Sequence, residues 1–215
     1  MNLDDLLREA EDTIFLRLEE GTHQLRICPP FDGHHITVKQ AGHYLFGRYY
    51  MCLNDLFKRE KTDALLMRTV EGGILSKEDF ADWKKLGCPA CKLDEKDGKG
   101  RTNIRCLWNT VHRDRGNKVY VWSTSLRRAK TIANTYSFFK EKFGVNIFDV
   151  EAGFDLLISV SGRGIFKRYG DIQFIQRAVP LGVPVDALHN LFDLAIRSII
   201  PFSELQQLAK ETTLK

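Results

Sequence analysis

The sequence predicts a mainly β chain with added helices, an α+β fold built on a five-stranded barrel. Three observations carry this expectation. Short apolar runs of strand composition come in pairs separated by turn residues. One amphipathic helix, Leu126 to Phe143, stands before the final pair. The chain then closes on two helical stretches, 185–199 and 201–212, after Pro180 and Pro184.

Taken in order, residues 3–11 read as a short acidic helix, with Leu3, Leu6 and Leu7 at helical spacing. Phe15, Leu18 and His23 to Cys28 form the first strand, halted at Pro29-Pro30 because proline gives no N–H to a ladder. Asp32-Gly33 is a turn, and Ile36 to Val38 a second strand. Helices are expected near 53–68 and 76–86, the latter with Ser76 as N-cap and acids in its first turn, ending at Gly87-Cys88-Pro89. Asp94 to Arg101 (DEKDGKGR) reads as a polar loop. Residues 103–111 (NIRCLWNTV) and 118–122 (KVYVW) pair as a hairpin about Arg113 to Asn117. The helix to Phe143 follows, capped by Thr124 or Ser125 and stopped by Gly144. Asp155 to Val160 and Ile165 to Ile175 are the last strands, turned by Ser161-Gly-Arg-Gly164. The expected parts are an acidic helix over 1–13, a barrel core over 14–180 interrupted by an insertion at 43–92, and closing helices over 181–215. A barrel of the oligonucleotide/oligosaccharide-binding type offers one strand face and its loops to a nucleic acid strand.

Composition excludes several classes. The 215 residues are 43% hydrophobic and 28% charged, a globular mixture rather than a disordered one. A core of this size needs no disulfide framework. No run approaches the length of a membrane span, and the N-terminus shows no signal peptide, so a cytoplasmic protein is expected. The net charge is only +4, but residues 1–20 carry −5 and residues 101–142 carry +8. A basic stretch of that density is a candidate anion-binding surface.

Cys88-Pro-Ala-Cys91 is the sharpest local feature. Two thiols three positions apart can face one ion, and zinc takes four ligands in a tetrahedron. His43 and Cys52 lie upstream in the same insertion and complete a closed set, which leaves no open position for catalysis. One structural zinc per chain is therefore expected, and it would supply much of the insertion's folding energy. Purely structural free thiols and a redox pair are the rival readings, and redox chemistry wants a buried strand before the first thiol and a helix after it. Here a helical stretch precedes it and a charged loop follows. Cys28 or Cys106 in place of Cys52, and His34-His35 in place of His43, remain alternatives.

Single-strand binding needs cations along the phosphates and rings against the bases. Arg105, Arg113, Arg115, Lys118, Arg127, Arg128 and Lys130 interleave with Trp108, Tyr120, Trp122 and Tyr136. Strand alternation puts Tyr120 and Trp122 on one face and Val119 and Val121 on the other. Arg163, Phe166, Lys167, Arg168 and Tyr169 repeat the theme at the second hairpin. Phe138 and Phe139 are expected in the core. An enzymatic alternative, a metal-dependent nuclease or recombination factor, would need clustered carboxylates, for which Asp149, Glu151 and Asp155 are the nearest acids. An RNA-binding zinc module is a third reading, because a 2′-hydroxyl contact leaves no trace in sequence.

The order His, Cys, Cys-x-x-Cys, then a strand with Asn-x-Val and a basic hairpin, resembles the tailed-phage single-stranded DNA-binding proteins of the gene 32 protein type. FLRLEEGTHQLRICPP, LWNTVHRDRGNKVYVW and FDVEAGFDLLISVSGRG carry the likeness, across most of residues 14–180. The resemblance implies an oligonucleotide-binding barrel with a zinc subdomain that together form a DNA cleft. It also implies non-enzymatic, cooperative coating of single strands in phage replication, recombination and repair, inside an infected bacterial host and among phage replication and recombination proteins. His43, Cys52, Cys88 and Cys91 would be the zinc set, and the aromatic and basic residues of 105–128 and 163–169 would line the cleft. The chain departs from the family in its acidic N-terminus, in ending LAKETTLK without an acidic run, and in the long spacing from Cys52 to Cys88.

Overall fold

The structure, a computed structural model, describes residues 14–31, 36–46, 48–60, 62–97, 102–116, 118–163 and 166–213. Its strands are β1 (Gly21–Ile27), β2 (Thr37–Leu45), β3 (Arg48–Met51), β4 (Thr102–His112), β5 (Val119–Ser125), β6 (Phe154–Ser161) and β7 (Arg168–Ala178). Its α-helices are α1 (Leu53–Arg59), α2 (Thr62–Leu66), α3 (Lys77–Leu86), α4 (Pro89–Asp97), α5 (Leu126–Phe143), α6 (Leu191–Ile196) and α7 (Phe202–Thr213). Among the described residues, no helix is long and apolar enough to cross a membrane. The acidic stretch 3–11, the Asp32-Gly33 turn, His34-His35 and residues 98–101 lie outside the described residues.

The chain is α+β, but the five-stranded barrel is corrected to an open, seven-stranded antiparallel sheet. Strand order is β3-β2-β4-β1-β6-β7, with β5 also paired to β4. The strand expected over 36–38 runs on as β2 to Leu45 and turns into an unexpected strand, β3, with His43 opposite Tyr50. The expected helix over 53–68 stops at Arg59, and helix resumes from Thr62 and ends in a π-helical turn, Met67–Glu71. The expected loop from Asp94 is helical to Asp97, because α4 starts on Pro89, whose fixed φ and missing N–H suit a first helical position. The expected helix over 185–199 is broken into a 3₁₀ turn, Val185–Ala187, and the short α6. Helix α5 has the expected bounds: Ser125 Oγ caps the Arg128 N–H, and Gly144 ends it in the left-handed conformation at φ 68°.

The chain divides into two compact units, one running to Val38 and resuming over Cys106–Leu191, the other comprising Lys39–Arg105 and Phe192–Lys215. The second unit is thus wider than the expected insertion over 43–92. Helix α7 belongs to it because Phe202 packs edge-on against Trp83 of α3 and its N–H meets Asp79 Oδ1 at 3.0 Å. The Trp83 indole N–H donates to the Ile200 carbonyl.

In the first unit α5 covers the sheet, burying Ile132 and Phe139 with Trp108, Trp122, Leu25, Leu156 and Ile158. A smaller cluster, Cys28, Val111, Val119, Leu181, Val183 and Leu188, forms beside it. An ion cluster ties the strands together. Asp155 on β6 accepts two bonds from Arg113, at 2.7 and 2.8 Å, and one from Gln24 at 2.7 Å. The fully buried Arg26 of β1 lies 3.5 Å from the same carboxylate, and its Nη2 donates to the Asp149 carbonyl. Gly153 is required for that approach, since a Cβ there would sit 2.2 Å from Arg26 Nη2. A buried carboxylate between two guanidinia resists removal, because each partner would be left charged and dry. Asp155→Asn is therefore expected to cost about 3–5 kcal/mol in urea unfolding, whereas a mutant as stable as the parent would show the cluster to be inert.

A second buried polar pair links β1 and β4. His112 Nδ1 accepts from the Asp114 N–H at 3.2 Å, so its Nε2 carries the proton and donates to His23 Nδ1 at 3.0 Å. His23 Nε2 then donates to the Glu19 carbonyl at 2.8 Å. In this chain each ring uses one donor and one acceptor, so the network fits neutral imidazoles. Burial first, and the nearby Arg115 charge second, hold His112 below the ordinary imidazole value of 6.5. The unfolded chain then binds more protons than the folded one below that value, so stability falls as pH drops from about 6.5 towards the folded value. Urea midpoints should fall between about pH 7.5 and about pH 5.5, and His112→Gln should flatten that slope.

Candidate metal centre and nucleic-acid interface

Four elements of the second unit each deliver one donor to a single point. His43 lies fully buried on β2, beside Gly42, where a Cβ would sit 2.6 Å from the Tyr49 ring. Cys52 follows β3 as the residue before α1, held by its N–H to the Ala41 carbonyl at 2.8 Å. Cys88 sits between α3 and α4, after Gly87 at φ 72°, and its N–H donates to Asn54 Oδ1 at 3.0 Å. Cys91 falls in the first turn of α4 and is the one partly exposed member.

The donor atoms of His43, Cys52, Cys88 and Cys91 all lie within 4.8 Å of one another and could hold one metal ion. Cys52 Sγ and Cys91 Sγ are 3.6 Å apart, and His43 Nε2 is 3.4 Å from Cys88 Sγ and 3.5 Å from Cys91 Sγ. A tetrahedron with metal–sulfur bonds of about 2.3 Å and metal–nitrogen bonds of about 2.0–2.1 Å has edges of about 3.8 Å and 3.6 Å, so the donor set fits such an ion. Protonation chemistry agrees. Hydrogen bonds from Cys88 and Cys91 hold the Cys52 thiol well below its ordinary value, while its bonds to Cys52 and Cys91 push Cys88 up. Thiolates this close repel one another, and a dication among them would offset that repulsion.

The alternative ligands lie elsewhere. Cys28 is in the smaller apolar cluster of the first unit, where burial pushes its thiol up to about 12. Cys106 is in the larger core. Cys88 does immediately precede a helix, as a redox pair would require, but a third thiol and an imidazole close on the same point.

The basic and aromatic residues are not gathered as expected. Trp108 and Trp122 are each 2% exposed, and the Trp108 N–H is satisfied by Thr124 Oγ1 at 2.9 Å. The aromatic face of β5 is corrected to a core face, because α5 covers it while Val119 and Val121 are buried on the other side. Tyr120 is half-buried with Lys118 5.5 Å above its ring. Arg113 is committed to Asp155 and to the Pro180 and Leu181 carbonyls, and Arg115 reaches the Arg17 carbonyl. Arg127 is exposed on α5, and Arg128 lies 4.5 Å over the half-buried Tyr169 ring. Phe166 and Arg168 are exposed, Arg163 lies 3.7 Å from Glu20, and Lys167 donates to the Leu18 carbonyl. Phe139 is buried, but Phe138 is exposed, a further correction.

A second aromatic face escaped the sequence reading. On the strands of the second unit the Arg105 guanidinium lies 4.8 Å from the Tyr44 ring and 5.1 Å from the Tyr49 ring. Tyr44 is 39% exposed, and Phe46, at the β2–β3 turn, is 46% exposed. Phe46 carries φ 49°, an uncommon conformation for a bulky residue. Arg48 and Lys39 are exposed on the same two strands. The sequence signal for it is the run HYLFGRYY, which sets Arg48 among four aromatic rings within the insertion expected over 43–92.

Two of the three carboxylates of the enzymatic alternative, Asp149 and Asp155, are engaged in structure. Asp155 holds two arginines, and Asp149 Oδ1 accepts the N–H groups of Ala152 and Glu151, which keep its carboxyl below the usual range. Compared with known proteins, the chain matches no family model and no curated relative.

Cys88→Ser is expected to reduce bound metal from one ion per chain to none by elemental analysis, and to lower the melting temperature. Metal retained in full would remove Cys88 from the ligand set.

Proposed function

We propose that this chain is a non-enzymatic, sequence-independent single-stranded DNA-binding protein that carries one structural zinc. The observation that carries the reading is the Arg105 guanidinium lying against Tyr44 and Tyr49 on a strand face where Tyr44 is exposed. Rings stack with any base and guanidinia meet any phosphate, so such a face binds without reading sequence. The exposed Phe166, Arg168 and Arg127, with Arg128 over Tyr169, supply the same chemistry in the first unit. The +8 balance of residues 101–142 supports a polyanionic partner.

Zinc is the ion that three thiolates and one imidazole in a tetrahedron favour, and a closed set of protein ligands makes it structural. It would staple β2, the start of α1 and the α3–α4 junction. In this reading the protein coats unpaired strands and shields them during phage replication, recombination and repair. Self-association along the strand and contacts with replication proteins belong to the same proposal.

The test is anisotropy of labelled oligo(dT), which suits a protein whose Trp108 and Trp122 are buried away from any strand. Tight binding to oligo(dT), weak binding to duplex and no cleavage with magnesium are expected. Tyr44→Ala should weaken binding by about 1–3 kcal/mol, the range for one stacked base. Arg105→Ala should also reduce the salt slope by about 0.7, the contribution of one single-strand phosphate. Equal affinity for duplex, or indifference to both substitutions, would overturn the proposal. Oligo(rU) bound more tightly than oligo(dT) would move the assignment to RNA.

A further inference from the structure

We infer that Gly162, Arg163 and Lys167, between β6 and β7, form a phosphate site whose seat is held by the chain's own Glu20, so that a bound strand must displace that carboxylate. The ligand's identity rests on the single-strand reading above; the anion site itself does not.

The geometry is that of an anion cradle. Gly162, at φ 74°, turns its N–H towards Glu20 Oε1 at 3.4 Å. Arg163 Nε stands 3.7 Å from the other carboxylate oxygen. Glu19, Glu20, Gly162, Arg163 and Lys167 line one cavity of about 420 Å³. A carboxylate that engages a backbone N–H with one oxygen and a guanidinium with the other occupies its donors as two phosphate oxygens would. Lys167 adds a further positive charge to the cavity, its ammonium donating to the neutral Leu18 carbonyl at 2.7 Å.

Glu20 is also placed there by its backbone. Leu18 is buried in the core, the Glu19 carbonyl accepts from His23, and Gly21 is in register with Val160 on β6. The backbone on both sides of Glu20 is therefore tied down, and the carboxylate has a short, fixed reach to Gly162. The pair itself is held weakly: the Arg163 side chain is 90% exposed and that of Glu20 53%. Exposed ion pairs of this kind contribute little, so a phosphodiester can exchange with the carboxylate.

The experiment compares the full chain with Glu20→Gln and, for net charge, Glu19→Gln, using labelled oligo(dT) and, separately, tripolyphosphate with the Gly162 amide followed by NMR. Glu20→Gln should bind oligo(dT) roughly three- to fivefold more tightly at low salt, as expected for losing one like charge near a phosphate. Its salt slope should steepen by about 0.7, because one more phosphate is neutralised. Glu19→Gln should change affinity much less, and Arg163→Gln combined with Glu20→Gln should lose most of the gain. Equal effects of Glu19→Gln and Glu20→Gln, or no effect of either with both probes, would overturn the inference. Should oligo(dT) bind no form while tripolyphosphate moves the Gly162 amide more in Glu20→Gln, the anion site stands and the single-strand reading falls.

Discussion

Three sulfurs and an imidazole nitrogen within 4.8 Å of one another are a constraint that the second unit cannot avoid. Thiolates this close would repel one another, and a cation among them would let each ionise in place. The donors arrive from a strand, a strand-to-helix junction and a helix-to-helix junction, so an ion at their centre would join most of that unit at one point. The local backbone is shaped to the same end. Gly42 admits the Tyr49 ring beside His43, Asn54 holds the Cys88 N–H, and Pro89 opens α4 so that Cys91 falls in its first turn.

The first unit is held by a different balance. Asp155 is shared between Arg26 and Arg113, which connects β1, β6 and the turn after β4. Around it the hairpin of β4 and β5 is buried on both faces, one under α5 and the other against Leu181, Val183 and Leu188. The exposed or half-buried Arg127, Arg128, Phe166 and Arg168 lie away from the middle of that hairpin.

The proposed binding chemistry has one logic in both units. Guanidinia rest on tyrosine rings, Arg105 on Tyr44 and Tyr49 and Arg128 on Tyr169, which keeps the rings and charges poised side by side. Glu20 adds the opposing element, a carboxylate placed by a pinned backbone where a phosphate would sit.

Much of this protein was legible from local signals. Ser76 and Ser125 as caps, Gly144 as a stop and the spacing of Cys88 and Cys91 depend on a few neighbouring residues, and the structure carries each of them. The wider ligand set was also within reach, because Cys and His are scarce in the segment that supplies it. Burial was not legible. Alternation placed Tyr120 and Trp122 on one face of β5, but whether that face meets water is decided by α5, which packs from elsewhere in the chain. The same holds for Tyr44 and Phe46: the strand continues through 37–45 because β3 and β4 lie on either side of it to accept the pairing. Residue order set the turns, caps and donor types; long-range packing alone decided which rings and charges remained outside.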